Sequence, residues 1–61
     1  MDAEKEAKQY RLLAARMRAE AKLMDGIAGH LRLETARTFE KIAEHFENVA
    51  SERAEDDRGD R

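Results

Sequence analysis

The sequence predicts an all-α protein: an antiparallel helical hairpin with an alanine-rich coiled-coil seam, expected to pair with a second copy as a four-helix bundle. Three observations predict it. Apolar residues recur at alternating spacings of 4 and 3 along two long stretches, the a/d periodicity of helices that pack along a seam. The chain is 41% hydrophobic and 43% charged with no proline, a balance suited to long amphipathic helices. One short stretch, "DGIAGH", holds two of the three glycines and separates the periodic segments.

Helix 1 is expected over about residues 3–24. Asp2 can cap its start, and Glu4 and Glu6 suit the positive end of the helix dipole. Its apolar positions Ala3, Ala7, Tyr10, Ala14, Met17, Ala21 and Met24 put alanine at each a position and a larger residue at the d positions from Tyr10 onward. A turn is expected at 25–30, with Gly26 in the left-handed position just past the helix end. Helix 2 is expected over about 31–54, with Ala36, Ala43 and Ala50 at a and Phe39 and Phe46 at d. Together these form one hairpin domain over 1–54. The segment 55–61, "EDDRGDR", has no apolar side chain and is expected to be a disordered tail.

The two alanine series fix a register. Ala21 opposite Ala36, Ala14 opposite Ala43 and Ala7 opposite Ala50 are mutually consistent, and they centre the hairpin between Ala28 and Gly29. The same register brings e positions together, pairing Arg18 with Glu40 and Arg11 with Glu47. It sets Phe39 near Met17 and Phe46 near Tyr10. The intra-hairpin seam is therefore Ala7, Tyr10, Ala14, Met17, Ala21, Met24, Ala36, Phe39, Ala43, Phe46 and Ala50.

A chain of 61 residues is small for a self-sufficient core, and such scaffolds use disulfides, a metal or association as a staple. There is no cysteine, and His30 and His45 are the only histidines. Association is what is left. The g positions supply a surface for it: Leu13, Ile42 and Val49, with the edges of Phe39 and Phe46, are expected to form the dimer or partner interface. Leu12, Leu23, Leu31 and Leu33 lie off the seam and widen the exposed apolar area.

Other chemistries find little support. Di-iron bundles need Glu-x-x-His facing inward, yet Ile42 and Ile27 stand three residues before His45 and His30. Ser51 is the only serine and lies near the end of helix 2, so no nucleophile triad is legible. Lys8, Arg11, Arg16, Arg18 and Lys22 make a basic stripe on helix 1 that suits phosphate. Against that, residues 30–56 carry four basic and seven acidic residues, and the net charge is −2. "RGD" at Arg58–Asp60 matches an adhesion tripeptide but sits in the charged tail. The first ten residues lack the apolar core of a signal peptide, and no apolar run reaches membrane-spanning length. A cytoplasmic protein without membrane insertion is expected.

"YRLLAARMRAEA" and "FEKIAEHFENVA" resemble a group of short alphaproteobacterial proteins, largely uncharacterised. Tyr10, Arg11, Ala14, Arg18 and Ala21 match the first half of their pattern; Ala43, Glu44, Phe46, Glu47 and Ala50 match the second. The turn departs, since that group often has Asp-Pro where this chain has glycines. The resemblance implies a helical hairpin and no established activity or ligand. The architecture is also similar to the Rop four-helix-bundle dimer, which binds paired RNA loops, although no matching RNA-contact motif is present. The expected function is a non-enzymatic interaction module (adaptor, regulator or accessory subunit), without cofactor, metal or small-molecule substrate. Its partner is a second copy or a larger protein. The alternative is a Rop-like RNA or DNA binder acting through the basic stripe.

Overall fold

The computed structural model describes residues 2–59, with side chains through Arg53. These residues form two helices, α1 (Ala3–Lys22) and α2 (Gly26–Gly59), packed against each other as a hairpin. Asp2 caps α1: its Oδ1 accepts from the backbone N–H of Glu4 at 3.1 Å and of Lys5 at 3.3 Å. Two donors that a helix start leaves unpaired are thereby satisfied. At the other end the chain tightens. Leu23 N–H donates to the Glu20 carbonyl and Met24 N–H to that of Ala21, both three residues back, which closes the last turn as 3₁₀.

The connection is shorter than the spacing predicts, and it sits elsewhere. Only residues 23–25 lie between the helices, so α1 ends at Lys22 and not 24, and α2 starts at Gly26 and not 31. The left-handed glycine is Gly26 (φ 66°), but it opens α2 instead of ending α1. Gly29, expected in the turn, is a buried helical residue. A Cβ there would stand 2.6 Å from the carbonyl oxygen of Met24 and 3.3 Å from that of Ala21. The missing side chain is what lets the connection lie flat on the first turns of α2.

α2 is therefore much the longer helix, 34 residues against 20. At 1.5 Å per residue it spans about 51 Å, close to the 54 Å length of the molecule. Because the ion pairs described below set Arg18 beside Glu40, the first turns of α2 run past the end of α1 and meet the connection at Met24 and the last turn of α1 at Ala21. At the far end the helix continues through 55–59, where the sequence suggested a disordered tail. No proline or glycine interrupts that stretch before Gly59, so backbone bonding continues without apolar support. Asp60 and Arg61, with the end of the RGD tripeptide, lie outside the described residues.

Candidate interaction face

Among the described residues the seam is closed by small residues, alanine above all. Among the described side chains the buried apolar ones are Ala3, Ala7, Ala14, Ala36 and Ala43, and Ala36 and Ala43 have no exposed surface at all. Ala21 and Ala50, at the ends of the two series, are half-buried. Gly29 stands seven residues before Ala36 and extends the same small-residue row into the turn. Methyl-sized contacts at a let the two backbones approach closely. The large d residues cannot fit between helices so near each other, so they are displaced to one side.

That side is the candidate face. Tyr10, Met17, Met24, Phe39 and Phe46 are all half-buried, and so are Ile42 and Val49 beside them. Leu13 is 36% exposed. Tyr10 lies between the two phenylalanines, its ring centroid 5.9 Å from that of Phe46 in a stacked arrangement and 5.8 Å from that of Phe39 in a tilted one. The first of these contacts follows from the register; the second does not, since the register sets Phe39 level with Met17. His45 adds an edge contact to Phe46 at 5.5 Å. Glu6 and Glu20, one heptad either side of Leu13, bound the apolar centre along α1.

The opposite broad face is ionic. Arg11 Nε and Nη2 donate to Glu47 Oε2 and Oε1 at 3.0 and 2.8 Å, and Arg18 donates to Glu40 in the same way at 3.0 and 2.7 Å. Both pairs are bidentate and stand one heptad apart, at the e positions the register assigns them. Hydrogen bonds from the arginines hold the Glu40 and Glu47 carboxyls below their ordinary value of 4.5. The same bonds raise both guanidiniums. Two of the five basic residues of the α1 stripe are thus engaged within the hairpin; Lys8, Arg16 and Lys22 are exposed.

The remaining apolar surface gathers at the turn. Leu23, Ile27 and Leu31 are 88%, 79% and 59% exposed, because α2 outruns α1 here. A shallow groove runs beside them between Met24 and the residues Ala28, Leu31, Arg32 and Thr35. Leu33 lies on the ionic side near the turn, and Leu12 on the outer surface of α1 is 71% exposed. Among the described residues no group of histidines and carboxylates is arranged to hold a metal ion. No helix among them is long and apolar enough to cross a membrane. Comparison of the chain with family profiles, curated proteins and solved structures finds no match.

Proposed function

We propose that this hairpin is a non-catalytic interaction module whose apolar face, built on Tyr10, Leu13, Phe39, Ile42, Phe46 and Val49, packs on a second copy as a four-helix bundle. One observation carries the reading: among the described side chains every buried apolar one is an alanine, while each large apolar side chain of the seam keeps part of its surface in water. Alanine methyls remove little area from solvent, whereas covering the larger residues would add the burial a domain this small needs. The dimensions agree. A strip as long as the 20-residue α1 and 15 Å wide projects on the order of 450 Å² per copy. Doubled for two copies and roughened by side chains, it falls at the lower end of specific interfaces.

The bundle would serve as an adaptor, regulator or accessory subunit, presenting its outer helical surfaces to a larger partner. The nucleic-acid alternative has less support because Arg11 and Arg18 already donate to Glu47 and Glu40, and their release would leave both carboxylates beside the phosphates. A charge placed on the face tests the proposal. Leu13→Glu with Ile42→Glu should convert the chain to a monomer with reduced helix content, while Leu12→Glu on the outer surface should leave mass and helicity alone. Equal behaviour of the two variants in sedimentation would remove the face from consideration.

A further inference from the structure

The two broad faces of the hairpin differ in kind, and the difference bears on how many copies can assemble. Resting on the bundle reading above, we infer that the Arg11–Glu47 and Arg18–Glu40 pairs limit assembly to two copies by closing the second broad face to a third hairpin. A two-helix layer with apolar residues on both sides would stack on its own kind without end, because each added copy exposes a fresh apolar face. Here the second side carries bidentate ion pairs with N–O distances of 2.7–3.0 Å. Lys8 and Lys22 flank them on α1, and Arg37 and Glu44 on α2.

A third hairpin laid on that side would strip water from four ionised groups whose mutual attraction is already satisfied. It would gain little apolar burial in exchange, since among the described side chains the e positions of that face are Glu4, Arg11, Arg18, Glu40 and Glu47, with Leu33 apolar near the turn. The seam has a use for this asymmetry. Alanine at a places small residues on the ionic side, and the large d residues lean to the other. One face associates and one face ends the association.

The test compares masses in solution. The wild type should hold at two chains of 7.0 kDa as concentration rises, at low and at moderate salt. Arg11→Leu, Arg18→Leu, Glu40→Leu and Glu47→Leu combined should keep its helix content and grow past two chains, to four or more. Arg18→Leu with Glu40→Leu alone gives a milder variant with the same expected direction, should the fourfold change prevent folding. Exchanging one pair in the wild type, Arg11→Glu with Glu47→Arg, keeps the ionic contact with its sense reversed and should leave the assembly at two. Leucine variants that stay helical and dimeric would overturn the inference while leaving the dimer intact. So would a wild type that climbs past two chains at low salt, where the basic ridge of one copy could seat on the acidic ridge of another. A monomeric wild type overturns the bundle reading itself, and this inference with it.

Discussion

Ala43→Leu is the sharpest perturbation of the seam. Ala43 has no exposed surface and sits in the middle of the alanine row of α2, which the register sets opposite Ala14, itself 2% exposed. Leucine adds three carbon atoms to a site with no free volume. Their transfer from water would favour folding by about 0.8 kcal/mol per carbon, but only if room existed. Without it the helices must part along the row that includes Ala36 and Ala14, losing contacts on both sides. Overpacking of this kind lowers stability by about 1–3 kcal/mol. At the centre of that range, a domain of this size loses roughly 8–16 °C in Tm. The assay is thermal unfolding followed by far-ultraviolet circular dichroism, with protein concentration held fixed because association shifts Tm. Ala19→Leu, on the exposed outer surface of α1, is the control and should move stability by about 0.5 kcal/mol or less. An unchanged melt for Ala43→Leu would show that the alanine row is not where the helices meet.

Three further outcomes follow from the same geometry. Tyr10→Leu keeps apolar bulk but removes the ring contacts to Phe39 and Phe46, which at about 0.5–1.5 kcal/mol per aromatic pair should lower stability by about 1–3 kcal/mol in thermal unfolding. Gly29→Ala drives a methyl into the Met24 carbonyl and should destabilise more than Gly26→Ala, where the penalty is only the left-handed backbone, about 1–2 kcal/mol; chemical denaturation of the two variants checks the order. Because Glu40 and Glu47 have folded-state pKa values below 4.5, the unfolded chain takes up protons first as pH falls. Their stabilisation is fully present above that value and is lost as pH drops through the lower folded-state value. A pH series of melts should therefore decline below 4.5, less steeply in Arg11→Gln with Arg18→Gln.

What the sequence made legible was the part governed by spacing within a helix. The alanine rows, the Asp2 cap and the two Arg–Glu pairs each depend on residues whose separation fixes their side of the helix, and helix geometry supplies the rest. The turn was less legible because glycine has two uses. Gly26 takes a left-handed φ, as a turn signal suggests, whereas Gly29 is a small residue in the packed row. Its position seven residues before Ala36 carried that information, but the neighbouring glycine made the whole stretch look like a break. The end of α2 carries no stop signal before Gly59, so the loss of apolar residues after Ala54 was a poor guide to backbone structure. Of the candidate face, Leu13, Ile42 and Val49 could be placed from heptad position. The Tyr10–Phe39 contact could not, since register sets the level of a side chain along the seam while its rotamer decides which neighbour a ring reaches.

The central claim is that the apolar face is covered by a second copy. Sedimentation equilibrium of the unmodified chain, carried from dilute to concentrated protein with helix content recorded on the same samples, tests it most directly. The account predicts a mass of two chains that falls only at high dilution, with helicity falling in step. A single-chain mass at every concentration, with helicity unchanged, would contradict it.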